Sequence, residues 1–477
     1  MNQILRYCLC WCLANNFLFA QQVSISPEVQ IKNDFSYFYF PHPDGNISLL
    51  RDKSFRLSLQ TLFPDFSWST EKNLLLRGKK WKIINIHELG NSIEVFYLTQ
   101  EDGHHLLVEA LYNQQGNVLR ERILFAGSGL EDIRNYQSEL SENQAWMALL
   151  LVDQRGDKTV MVYERRQDSL YCKKTLHEWD QFKSEWPVKE YKIANDGNIY
   201  IHTLIDSETD KKEKLQECIV QLNPHTLGLT VCYLPLGDLK LFESQFIIDN
   251  INHQVLYGGL YSDKQERYPE GYFLIQLNER NEMAWKKLIP FSRNMLQEWK
   301  GESNLKSIFR DGAFKLQEMT LAMNGSCLMF FEFTREISRR PYFTSMDPSN
   351  NLASRWFDYY FDDILVAHFD ANGQVQWEQI LHKRQYSQDD DGIFSSFYVF
   401  HLPALLRIVF NDAVNADGTV SEYLLKPNGD NIRKSVLNTS YKNLNLRFQD
   451  ALTTGPNEML LPSESNGKLT LVKIQFN

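Results

Sequence analysis

Catalytic signatures are the first thing this sequence lacks. Its 477 residues contain no GxSxG elbow, no HExxH pair and no phosphate-binding glycine loop. Those absences set aside several common hydrolase, metalloprotease and nucleotide-binding chemistries. Cysteine is scarce as well. Cys8, Cys10 and Cys12 lie near the start, and Cys172, Cys218, Cys232 and Cys327 are spread through the rest without any CxxC spacing. So few thiols in so long a chain make neither a disulfide scaffold nor a metal site. Cys218 and Cys232 flank a turn and are candidates to meet across a hairpin; two buried thiols is the plainer expectation. Beyond the start, no apolar run reaches the eighteen or so residues that a membrane helix needs. Positive charge is in deficit, with 50 basic against 60 acidic side chains and a net charge of −10. That balance argues against nucleic acid or an anionic membrane as partner. No metal or cofactor is expected.

The first twenty residues differ from the rest of the chain. Arg6 supplies a short positive region, an apolar stretch runs through Phe19, and Ala20 offers a small residue before Gln21. This pattern predicts a secretory signal peptide over 1–20 and hence export to the periplasm or cell surface. A buried N-terminal element is the alternative. Lipid anchoring at one of the early cysteines is disfavoured by the bulk of Trp11 before Cys12.

What the chain does have is a repeat. Residues 106–124 (LLVEALYNQQGNVLRERIL), 273–289 (FLIQLNERNEMAWKKLI), 364–381 (ILVAHFDANGQVQWEQIL) and 421–437 (SEYLLKPNGDNIRKSVL) share one form. Two alternating strands flank a polar turn, with Gly116, Gly373 and Gly429 at positions suited to a left-handed backbone. Period-two alternation marks half-buried strands. Each hairpin follows another apolar strand, starting near Ile93, Ala145, Ile199, Val255, Cys327, Leu406 and Met459. Four short antiparallel strands cannot bury both faces alone, whereas sheets stacked around an axis can. The expected fold is therefore all-β, a β-propeller of mostly four-stranded sheets over 80–477. Seven blades are countable, with six or eight also open. Residues 21–79 form an N-terminal β segment, in which 34–63 is a candidate for closing the ring and a small separate β domain is the other reading. Helices are few: 296–309 and 176–182 each allow a short one.

Two insertions widen the repeat, at 336–361 and 385–397. The first is dense in aromatics and arginines: Arg339, Arg340, Tyr342, Phe343, Arg355, Trp356 and Tyr359 are the candidate ligand-binding residues. Large π surfaces beside guanidinium forks suit a sugar ring or a peptide. The competing reading is that these rings only pack the insertion against the blades. Asp389, Asp390, Asp391 and Gly392 offer oxygen ligands but lack the alternating spacing that wraps a calcium ion, so a solvated turn is expected. No catalytic residue is identifiable.

The text of 364–381, with Asp370, Gly373 and Trp377, resembles a phrase that recurs in exported β-propeller-like repeat proteins of Bacteroidetes-type bacteria. The resemblance extends over 81–476 and implies a propeller-like fold and export, but no activity. On that reading Asp370 and Gly373 make a turn, and Trp377 packs between blades. The functional expectation is an exported binding or assembly module with a glycan or envelope protein as partner. A glycan-active enzyme using carboxylates on the propeller face and a purely structural envelope component are the alternatives.

Overall fold

A computed structural model describes residues 21–476, apart from 55, 128–129, 131–132, 166–169, 177–186, 207–214, 264–265, 340–355, 415–417 and 440–442. The expected signal peptide and, from 177 onward, the helix expected over 176–182 therefore lie outside the described residues.

The strands form eight antiparallel four-stranded sheets, seven in sequence order and one that takes its outermost strand from the N-terminal end, with a further strand added to two of them. From Ser36–Pro41 to Ala313–Leu321 the first strands of successive sheets touch one another, and fourth strands such as Val118–Ala126 and Met283–Pro290 are largely exposed. The sheets are thus blades set radially, with their first strands lining a central axis. The chain is an eight-bladed β-propeller. Blades one to seven occupy 36–73, 81–126, 133–175, 188–233, 240–290, 313–388 and 398–438. Blade eight combines Leu452–Gly455, Glu458–Ser465 and Lys468–Gln475 with the N-terminal strand Gln22–Ile25.

That strand closes the ring. Its residues pair antiparallel with the last strand, from Gln22 with Gln475 to Ile25 with Val472. Closure therefore comes from upstream of 34–63. Those residues instead belong to a blade of their own, built from Ser36–Pro41, Ile47–Asp52, Leu57–Leu62 and the two-residue Lys72–Asn73. This added blade is the difference between seven and eight.

Eight apolar clusters account for the stability of the ring, one at each junction. Leu50, Leu57 and Leu59 of blade one meet Ile86, Val95 and Val108 of blade two. Around the ring, Tyr39, Leu49 and Leu62 of blade one meet Leu460, Leu469 and Leu471 of blade eight. Each buried aliphatic side chain contributes about 1.5–3 kcal/mol relative to exposure, so no junction is left to hydrogen bonding alone.

The repeated turn has the form its sequence implies. Asp370 Oδ1 accepts from the backbone N–H groups of Asn372 and Gln374, both at 2.9 Å, and Gly373 has φ +72°. Asn113 caps the corresponding turn of blade two. The strands Trp146–Asp153 and Lys158–Glu164 form the middle of blade three. Cys218 and Cys232 sit on neighbouring strands but one register step apart. Successive side chains on a strand point to opposite faces, so the two thiols enter different junctions and remain free.

Strand direction alternates within a blade, so turns between second and third strands emerge on the same face as the blade-to-blade crossings. This upper face carries the two insertions and the short helices α1 (Arg293–Lys300) and α2 (Leu305–Ile308).

Candidate functional site: the arm of blade six

The second and third strands of blade six are unusually long, Cys327–Arg339 and Trp356–Phe369. The first strand accompanies them only as far as Thr334. Beyond that point they run on as a hairpin, with Arg335 opposite Tyr360 and Arg339 opposite Trp356. The second insertion joins them: Gln385–Gln388 pairs with Asp358 through Phe361 on the far side. The two insertions expected from sequence therefore build one object, a three-stranded arm rising from the upper face.

Alternation sorts the arm into two faces. Opposed residues in an antiparallel pair share a face. One face carries Arg335, Ile337, Arg339, Trp356, Asp358, Tyr360, Tyr386 and Gln388. Here the Arg339 guanidinium lies 5.6 Å from the Trp356 ring centre, and Arg335 lies 4.4 Å from that of Tyr360. The Tyr360 and Tyr386 rings are 5.0 Å apart. Asp358 is the polar hub. It pairs with Arg339 Nε at 2.9 Å and accepts from Tyr386 Oη and Gln388 Nε2, each at 3.1 Å. Trp356 is 47 % exposed, so its ring remains open to solvent while its neighbours are held.

The opposite face meets the acidic turn. Phe357 N–H donates to Asp389 Oδ1 at 2.8 Å, and Tyr359 Oη donates to Asp391 at 2.9 Å. Asp390 accepts from Ser387 Oγ and from the Gly392 N–H. Asp389 also receives Arg339 Nη2 at 3.0 Å. These carboxylates are engaged in bracing the arm, and no metal-binding cluster occurs among the described residues. Desolvation, together with the Asp391 carboxylate, pushes the Tyr359 phenol up to about 12.

The base of the arm is locked by a buried ion pair. Lys383 Nζ and Glu332 Oε1 lie 2.5 Å apart with both side chains fully buried. Glu332 also accepts from Gln317 and Ser396, each at 2.7 Å, and Lys383 also donates to the Phe361 carbonyl and Gln385. Helix α1 buttresses the same root: Trp299 stacks on Phe314 and donates to Asp363 at 2.8 Å. A surface carried on such a base is held in one geometry by the protein itself.

Of the residues singled out from sequence, Arg339 and Trp356 come together on one face, and Tyr359 falls on the other. Arg340, Tyr342, Phe343 and Arg355 lie outside the described residues. Sequence reading missed Asp358, Tyr386 and Gln388. Asp358 falls on the face of Trp356 and Tyr360 only once 356–361 is known to be a strand, and nothing local links 385–388 to the hairpin.

No protein-family model matches the chain, and no curated protein matches it. Three solved structures are similar in outline. The Dos1 propeller is 8 % identical with TM-score 0.46, over 94 % of this chain and 95 % of that one. Sqt1 of Saccharomyces cerevisiae is 11 % identical with TM-score 0.45, over 96 % and 100 %. The quinohemoprotein alcohol dehydrogenase ADHIIG of Pseudomonas putida HK5 is 9 % identical with TM-score 0.44, over 96 % and 77 %. Likenesses this distant say nothing of activity, since one architecture serves many functions. The propeller assignment rests on the sheet topology itself.

Proposed function

We propose that the protein is an exported recognition module that holds a glycan on the arm of blade six. The observation that carries this reading is the exposed Trp356 ring, fixed beside Asp358, Arg339 and Gln388. A sugar ring presents an apolar C–H face and a rim of hydroxyls. Trp356 offers the stacking surface, and the Asp358 carboxylate and its partners offer directed hydrogen bonds at the edge. The leader-like residues 1–20 support placement in the periplasm or at the cell surface.

The test is a glycan array probed with the mature protein, followed by calorimetric titration of any hit. Trp356→Ala should lower affinity about tenfold or more, a usual cost for an aromatic anchor, with little change in melting temperature. Binding unaffected by that change would refute the arm as the site. Envelope peptides captured in place of glycans would shift the partner class.

A further inference from the structure

A second aromatic surface lies on the same upper face, at the mouth of the central channel. It is built around the first strand of blade one, Ser36–Pro41, and the residue before it. Phe35 is 81 % exposed, and Phe38 is also open to solvent. Both border two cavities. One, of about 740 Å³, is lined by Tyr37, Tyr39, Arg447, Asp450 and Glu464. The other, of about 490 Å³, is lined by Trp81, Ile84 and Tyr136. Their sizes fall in the usual range for ligand sites.

The polar groups of the larger cavity are arranged with a bias. Asp34 is closed off by Arg51 at 2.6 Å, with both side chains nearly buried. Asp450 and Glu464 remain, and they share a single cation, Arg447. Tyr37 Oη is spent on Glu464 and Tyr39 Oη on the Asp450 carbonyl, so the tyrosines offer ring faces rather than hydroxyls. The cavity thus combines aromatic faces with one carboxylate in excess. In the smaller cavity the lining Lys82 already sits 4.4 Å from the Tyr136 ring centre, which shows this wall accepting an ammonium group. Aromatic faces attract cations through the ring quadrupole, and a nearby carboxylate adds to that attraction.

We infer that the channel mouth binds an extended peptide through its lysine or arginine side chains. One cation enters the cavity of Asp450 and Glu464, and the chain passes over Phe35 and Phe38 toward Trp81. The net charge of −10 favours the approach of such a segment. The surface is separate from the arm and does not depend on its ligand.

Calorimetric titration of the mature protein with an end-blocked tetralysine peptide, against tetraglutamate, tests this. Tetralysine should bind and tetraglutamate should not. Phe35→Ala and Asp450→Asn should each weaken tetralysine about fivefold, the scale of one cation–π contact. Phe35 is largely in solvent, so its truncation leaves the fold intact. Trp356→Ala should leave tetralysine affinity unchanged, which separates this surface from the glycan reading. Absence of tetralysine binding would overturn the inference. So would equal binding of both peptides, or binding that neither Phe35→Ala nor Asp450→Asn moves, since a diffuse attraction to an acidic protein needs no aromatic wall.

Discussion

Trp377 of blade six lies against Gly429 of blade seven and donates its indole N–H to the Pro427 carbonyl at 2.9 Å. Trp285 of blade five likewise lies against Gly373 of blade six. The glycine of the repeated turn therefore has two duties. It adopts a left-handed backbone, and it leaves room for the indole of the preceding blade.

Alanine at either position violates both conditions. At Gly429 (φ +89°) a Cβ would stand 2.9 Å from the Trp377 ring, and at Gly373 (φ +72°) 2.5 Å from Trp285. Left-handed strain costs an L-residue about 1–2 kcal/mol, and displacement of the indole adds to it. Gly429→Ala and Gly373→Ala should each lower the melting temperature measurably. Gly116→Ala should cost less. Its neighbours are the ends of Leu74 and Lys72, at 3.1 and 3.3 Å, which can move aside. Thermal unfolding followed by circular dichroism orders the three, and equal losses would contradict the account.

The turn glycines were also what made the repeat readable. Seven blades announced themselves through a second strand followed by hairpins, several of them sharing the Gly or Asn turn. Blade one did not. Its fourth strand is only Lys72–Asn73, so no paired-strand phrase surrounds its last turn. Closure by Gln22–Ile25 was equally hidden, because four residues carry too little alternation to mark a strand. At the arm, aromatic density marked Arg339 and Trp356, but Tyr386 and Gln388 reach them only through tertiary pairing. The strand Ser36–Pro41 belonged to a segment that read as ring closure, because its alternation is that of any blade strand. Only the geometry of the channel mouth leaves Phe38 open.

The free thiols allow a simple check. Burial raises Cys172 to about 11 and pushes Cys218 up further. Thiolate, not thiol, is the reactive form. The folded protein should therefore resist alkylation at Cys172, Cys218, Cys232 and Cys327, and all four should react once denaturant is added. A reductant should leave the melting temperature unchanged. Protection lost on reduction would mean that two of them had been bridged.

The Lys383–Glu332 pair should be costly to break and inexpensive to replace. Burial lowers the Lys383 pKa, and Glu332 opposes that shift. Lys383→Met strands a fully buried carboxylate, for which a loss of about 3–5 kcal/mol is expected. The double change Lys383→Met with Glu332→Leu removes both charges and should recover part of that loss. Urea unfolding of the two single variants and the double variant gives the coupling. Additive losses would show that the pair does not act as a unit.

Between blades two and three, a buried glutamate and a half-buried histidine respond to pH in opposite senses. Glu94 pairs with Arg165 at 2.9 Å, and both are nearly inaccessible. Burial raises Glu94 to about 7, with Arg165 opposing and the buried Glu109 adding to the rise. Burial likewise lowers His87 to about 4, and Arg165 adds to that shift. For Glu94, the unfolded chain ionises near 4.5 while the folded chain holds its proton. Stability from this group therefore falls as pH rises from about 4.5 to about 7, and is level above that. For His87, the unfolded chain takes up a proton near 6.5 while the folded chain refuses it. Stability from this group falls as pH drops from about 6.5 to about 4. Between 4.5 and 6.5 the two slopes oppose each other. Glu94→Gln removes the first and leaves the second, so the melting temperature of that variant should climb with pH more steeply than wild type across this interval. His87→Gln should do the reverse and decline more steeply. The comparison rests on slopes, so a constant penalty from leaving Arg165 without its carboxylate does not disturb it. Melting curves taken at half-unit steps from pH 4 to 8 provide the test, and slopes equal to wild type in both variants would show that neither group titrates as its burial requires.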